Sequence, residues 1–447
     1  MEILFAGSVP PNADSVNILK RVPMKIYNRQ NRLLLLTMAL LYTSLLPAAP
    51  GDLAEADGEL APEQLVAAVL QANPRVEIAL AAWQAASARI DQQSTLHAPR
   101  FSYGFAPMTI GSRAADFGQR VELSQQLPWP AKLELRGKKA GYEARTQEQT
   151  LLSMQLLLAT TAKSLFADWY YIHRAIAINH VNQKLLQDFH AIALTRYRTG
   201  QTSKQDVLRA EMELTLLQHQ DITLKRQRKT IQARINTLLN QAPEQALPAP
   251  QQLPLVTDIP DPAQLQLTAL QNRQELKAAK ARIAAHKTQQ KLAELAFIPD
   301  LKVSAGYNSL WDNRDKRFNI DIPLDRSRLQ AALQEARANA RRAHWQEIDL
   351  QASIREELQI SYDRVQESLH VLQLYRQQIT DLADANLAAA VADYRAGKGD
   401  FLTLISSEKN RMQTQLQTEQ ALAELHRRLA GLEQAVGSIQ SFTAQQH

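Results

Sequence analysis

The sequence predicts a mainly helical chain with a small, four-stranded β contribution, and three observations predict it. Apolar residues step by three and four along most of the length, two short regions alternate with period two, and one turn-like stretch returns late in the chain. That stretch runs from Tyr197 to Glu211 and again from Tyr394 to Glu408, with Tyr, Arg, Gly and Glu matched at a shift of 197. Each copy is expected to be a sharp turn between long helices. Gly200 or Gly397 takes the left-handed conformation past one helix end, and Ser203 or Asp400 caps the next helix. The chain then contains two copies of one helical hairpin.

The elements follow in order. Lys25, Arg29 and Arg32 precede an apolar run from Leu33 to Leu46 and then Pro47-Ala48-Ala49, the pattern of a secretory signal peptide, with Met24 as an alternative start. Residues 1–49 are therefore set apart as extension and signal. A first repeat is expected over 50–241. It opens with a helix from Pro62 to about His97 that tolerates Asn73-Pro74 and ends at Pro99. Phe101, Tyr103 and Phe105 then alternate with small or polar residues, as do Val121 and Leu123, which predicts a hairpin of two half-exposed strands. From Ala131 to Thr199 only the isolated Gly137 and Gly141 interrupt a helix whose Leu158, Ala162, Leu165, Trp169, Ile172 and Ile176 form a coiled-coil stripe. After the turn, Val207, Ala210, Leu214, Leu217 and Leu224 continue the stepping, so the two helices are expected to pack antiparallel.

Pro243, Pro248, Pro250, Pro254, Pro260 and Pro262 mark 242–262 as an extended connector. A second repeat, 263–437, restarts the scheme: a helix to Phe297, strands in which Leu301, Val303, Ala305 and Tyr307, then Phe318, Ile320, Ile322 and Leu324, form an apolar face, a helix from about Arg326 to Ala396, and a last helix to about Val436. Residues 438–447 read as a loose tail.

Hydrophobic residues make up 45% of the chain but aromatics only 6%, which favours thin helical packing over an aromatic core. Residues 1–49 hold +3 of the +6 net charge, so the remainder is nearly neutral and a nucleic-acid partner is not indicated. Without cysteine there are no disulfides, thiolate metal sites, cysteine nucleophiles or N-terminal lipidated cysteine. After the signal, no run approaches the ~18 uncharged apolar residues of a membrane helix, so any crossing must use strands. The ten histidines are scattered, and Walker, dinucleotide-binding, nucleophile-elbow and zinc motifs are lacking, so the chain reads as a non-enzyme needing no cofactor or metal.

At ~1.5 Å per residue the two uninterrupted helices are each about 105 Å long, twice the length of the others. Two short helices stacked end to end match one long one, as in a tall helical cylinder with strands at one end and the signature turns at the other. Four strands with an apolar outer face cannot close a membrane barrel alone, because an open edge in lipid leaves backbone groups unpaired. Three copies supplying twelve strands close one economically. The competing reading is a small sheet capping a soluble bundle.

The twin turns, the strand exits Ser124-Gln125-Gln126-Leu127-Pro128 and Ile320-Asp321-Ile322-Pro323-Leu324, and the duplicated element order resemble the TolC-like outer-membrane factors, the outer membrane efflux protein family, over nearly all of 60–437. The Ser-Gln-Gln-Leu-Pro exit, with Lys132 and Arg136-Gly137, looks most like its heavy-metal-efflux subgroup. The resemblance implies a homotrimer whose helical α-barrel tunnel through the periplasm continues into a twelve-stranded barrel in the outer membrane. It implies passive conduction of metal ions or small toxic molecules, with a periplasmic adaptor protein and an inner-membrane pump of the RND type as partners. It also places Tyr394, Arg395, Lys398 and Asp400 at a periplasmic gate. Gly200, Thr202, Ser203, Asp206 and Gly397 become adaptor-docking residues of the tips, and Phe101, Tyr103, Phe105, Val303, Tyr307, Phe318, Ile320 and Ile322 face lipid. A periplasmic coiled-coil structural or adaptor protein without a barrel, and a type I secretion duct, are the alternatives.

Overall fold

The computed structural model describes residues 58–107, 110–111, 118–256, 259–308, 313–321 and 324–438. The signal segment 1–49, Ile322 and the tail beyond Ser438 lie outside them. The described residues belong to one unit, Pro50–His447.

Helices α1 (Pro62–Ala72) and α2 (Pro74–Ser94) lead to strands β1 (Arg100–Phe105) and β2 (Gln119–Leu127), then to α3 (Pro130–Arg198) and α4 (Lys204–Leu238). The order repeats with α5 (Pro262–Asn272), α6 (Gln274–Leu295), β3 (Asp300–Asn308), β4 (Asn313–Asp321), α7 (Arg326–Leu374), α8 (Thr380–Arg395) and α9 (Phe401–Val436). A π turn, Tyr375–Ile379, joins α7 to α8. Proline opens α1, α2, α3 and α5, where its missing N–H would lack a helical partner anyway.

The stripe expected along α3 is the core: Leu158, Ala162, Trp169 and Ile172 are at most 2% exposed. α3 packs against α1, α2, α4, α6 and α9, and α7 against α5, α6 and α9. One expectation about spans is amended. By length and composition α3 is apolar enough to cross a membrane, and 44% of that stretch is buried inside the helical body. Gly137, one of two isolated glycines in α3, has a steric role, since a Cβ there would stand 2.9 Å from Ser94 Cβ at the end of α2.

The single helix expected over 62–97 is a correction. It is broken at Asn73, with α1 and α2 bent by 50°, and the corresponding helix of the second repeat is broken at Arg273. Proline at 74 disfavours the helical conformation for Asn73, which turns extended, caps α2 by accepting the Arg75 N–H (3.0 Å), and donates its amide to the Leu238 carbonyl at the end of α4 (2.9 Å). Arg273 does the equivalent at the end of α9, donating to the carbonyls of Gln434 and Ala435 at 3.2 and 3.0 Å. In each repeat the kink residue ties the first helices to the C-terminus of the last.

The connector is extended, as expected, and packed. Leu60 and Pro250 form a short parallel bridge, Trp169 Nε1 donates to Pro248 O (3.0 Å), and Leu253, Val256 and Ile259 are buried.

Candidate functional site

Two regions at opposite ends of α3 carry the geometry that bears on function. The first is the sheet, antiparallel in the order β1-β2-β3-β4, so that the hairpins of the two repeats pair through β2 and β3. Side chains alternate across a sheet, so the register sorts the residues by face. Phe101 pairs with Leu123, Tyr103 with Val121, Val121 with Tyr307, Leu123 with Ala305, Val303 with Phe318 and Leu301 with Ile320. Every described residue expected to face lipid therefore shares one face. That face is the exposed one: Phe318 is 76% exposed, Phe101 66% and Ile320 62%, whereas Ser124 and Ser304, paired on the polar face, are 8% and 6% exposed. The sheet is inverted relative to that of a water-soluble protein, which buries its apolar side. Among the described residues β1 and β4 are edges without a neighbouring strand.

The second region is the pair of turns. Gly200 has φ +71° and Gly397 φ +76°. In the first turn the Gln201 N–H reaches the Arg196 carbonyl and the Gly200 N–H that of Tyr197; in the second, Lys398 reaches Asp393 and Gly397 reaches Tyr394. Both are Schellman ends, in which glycine adopts the left-handed geometry without a Cβ penalty. Asp400 caps α9 as expected, accepting the Thr403 N–H at 3.2 Å, and hydrogen bonds from Thr403 hold its carboxyl below the usual range. Ser203 departs from expectation. It has the extended backbone of a cap but no capping side-chain bond; instead the Thr202 hydroxyl bonds the Asp206 carboxylate, which places its negative charge in the first turn of α4.

The two turns touch. Arg196 sets its guanidinium 4.7 Å over the Tyr394 ring and donates to the Tyr394 carbonyl at 2.5 Å; that ring stands 5.4 Å from Phe401. Tyr394 is only 3% exposed and seats the turn, while Arg395, Lys398 and Asp400 lie exposed at its surface. Leu186, Phe189, Val207, Leu387, Phe401 and Leu404 make one cluster that joins the hairpins near their tips. Among the described residues no group of three or more His, Asp or Glu side chains could hold a metal ion.

Comparison with known proteins adds the remaining evidence. Residues 266–438 match the model of the outer membrane efflux protein family. This repeat belongs to the outer membrane efflux proteins. No curated protein matches the sequence. In fold, the chain is similar to the outer-membrane channel OprN (20% identity, 84% of this chain and 90% of that one, TM-score 0.72). It is similar to the outer membrane protein VceC of Vibrio cholerae (18% identity, 84% and 96%, TM-score 0.71). It is similar also to CusC, described for transmembrane channel formation (15% identity, 84% and 92%, TM-score 0.73). The outer-membrane location expected from the sequence stands with the family.

The efflux-family repeat contains a residue whose role its sequence did not announce. Glu408 recurs with Glu211 in the two signature stretches, yet Glu211 is exposed and Glu408 is 1% exposed, with one carboxyl oxygen unpartnered among the described residues. Burial first, and the Glu213 carboxylate second, push its pKa up to about 7, against the opposing charges of Lys409 and Arg411. Lys409 is engaged by Glu213 at 2.6 Å and Arg411 by Asp384 at 2.5 Å. The folded state thus holds a proton on Glu408 that the unfolded chain releases nearer pH 4.5, so stability present at lower pH is lost as pH rises from about 4.5 to about 7. Glu408→Gln is expected to flatten that slope and to stabilise the protein by about 1–3 kcal/mol at pH 8. Thermal unfolding of both proteins in detergent across this range checks it; parallel pH profiles would count against the buried acid.

Proposed function

We propose that this chain is the outer membrane channel of a tripartite efflux system. The observation that carries the reading is the inverted sheet with two unpaired edges, placed at the far end of a helix ~105 Å long from a pair of packed hairpin tips. Three chains pair β4 of one with β1 of the next, closing a twelve-stranded barrel that removes the edges and puts the aromatic face in lipid. The helices continue the barrel as a periplasmic tunnel. Conduction is passive, with the driving energy supplied by an inner-membrane RND-type pump reached through a periplasmic adaptor. Gly200, Thr202, Ser203, Asp206 and Gly397 serve the docking of that adaptor at the tips.

At the gate, Arg395, Lys398 and Asp400 form the exposed ring and Tyr394 holds the turn that carries them. Exposed ion pairs contribute roughly 0–1 kcal/mol each, weak enough for a docking partner to separate. Mass measurement in detergent and planar-bilayer recording test the assignment together. The expected results are a trimer and a conductance that rises in the Arg395→Ala, Asp400→Ala double variant but not in Asp206→Ala. A stable monomer, or recovery of the mature chain only from the soluble periplasm, would favour the coiled-coil adaptor reading. Unchanged conductance in an assembled double variant would leave the turn a structural role alone.

A further inference from the structure

We infer that the duct prefers anions, and that its substrate carries carboxylate, phosphate or a similar negative group. The inference rests on the channel reading and names the substrate class for it. Below the sheet, α2, α3, α6 and α7 together line a groove of about 860 Å³. Asp300 fixes which side of the helices this groove occupies. Its register places it on the polar face of β3, since it neighbours Leu301 of the apolar face, and it also lines the groove. Lys132 and the Trp129 N–H hold its carboxylate at 2.7 and 3.1 Å. The groove is therefore continuous with the polar face of the sheet, the face that closure into a barrel turns towards the lumen.

The groove's charges are unequal. Arg89, Lys132, Arg136 and Lys139 face Glu143, Asp300 and Glu335. Two of the three carboxylates are already matched, Asp300 by Lys132 and Glu143 by Lys139 at 3.5 Å. Arg89 and Arg136 make no ion pair among the described residues, and an adjoining hollow of about 410 Å³ adds Arg282 to the same wall. On the polar sheet face, with Asp300 already counted in the groove, Arg100, Arg120, Lys302 and Arg317 stand against Glu122 and Asp321, so the sheet carries the same sign as the groove. Threefold repetition around a narrow water-filled passage multiplies that excess, and low-dielectric walls focus its field on a passing ion. A bare metal cation meets a barrier there, whereas an organic anion meets guanidinium groups suited to carboxylate and phosphate.

The reversal potential of the reconstituted full chain under a KCl gradient at low ionic strength tests this, because salt screens such fields. The wild type is expected to favour chloride. Arg89→Glu with Arg136→Glu shifts the reversal potential through zero towards potassium, the paired Lys substitutions retain the chloride sign, and Glu335→Gln moves it further towards chloride. A potassium-selective wild type, or a reversal potential unmoved by the Glu335→Gln and double Glu variants in verified trimers, overturns the inference and leaves the channel intact. Absence of any conductance from assembled trimers overturns the channel reading itself, and the inference with it.

Discussion

Ile320→Arg is expected to lower recovery of the assembled protein from the outer-membrane fraction, whereas its neighbour Asn319→Arg leaves recovery near the wild-type level. Ile320 is 62% exposed on the face it shares with Leu301, Phe101 and Phe318; Asn319 pairs with Lys302 on the other face. An arginine on the lipid face costs from about 0–1 kcal/mol near the bilayer edge to about 2–4 kcal/mol at its midplane, and a trimer carries that cost three times, while the same residue in a wet lumen is solvated. Because adjacent residues are compared, strand position and distance from the turn are nearly the same for both. Equal membrane yields would mean that the face assignment is wrong, and with it the proposal that the inverted sheet meets lipid.

The largest effect expected within the helical body is at Arg273. Its side chain is 8% exposed, bonds the Gln434 and Ala435 carbonyls, and pairs with Glu357 at 2.9 Å and Glu275 at 3.1 Å. Arg273→Ala leaves the end of α9 with unsatisfied buried carbonyls and deprives the α5–α6 kink of its tie. A loss of about 2–4 kcal/mol is expected, since each buried group left unpaired costs about 1–3 kcal/mol. Arg273→Lys should fall between, because an ammonium cannot reproduce the planar fork that reaches two carbonyls and a carboxylate together. Denaturant unfolding checks the order. An alanine variant as stable as wild type would show that the kink holds without this tie.

These two residues also mark how far the sequence can be read. The alternation at 301–320 exposes the sheet face directly, because a period of two admits only two assignments and one of them gathers the aromatics. The order of helices follows as directly, since Pro62, Pro130 and Pro262 announce starts and the twin glycines announce ends. The kinks were half legible. Asn73 precedes a proline, which disfavours helix on steric grounds, but Arg273 precedes glutamine, and nothing local announces that its guanidinium meets the buried carbonyls at the end of α9, 161 residues further on. The same limit hid Arg196 beneath Tyr394 and the unequal fates of Glu211 and Glu408. The recurrence pointed to those glutamates but not to their burial, which depends on how two hairpins pack against each other.

The π turn sets the phase of the second long helix. The continuous run Arg326–Arg395, which contains it, is one residue longer than its counterpart α3, Pro130–Arg198. A π turn takes one residue more than an α turn closes, and so accommodates a single-residue insertion without breaking the helix. Here the Thr380 hydroxyl bonds the Tyr375 carbonyl at 2.8 Å, and the Tyr375 hydroxyl bonds Gln417 of α9 at the same distance, so the bulge is fastened in place. Below it Leu372, and above it Ala383, Leu387 and Ala390, stay buried. The second long helix thus keeps one inward face across a wider turn, a local loosening that α3 does not contain.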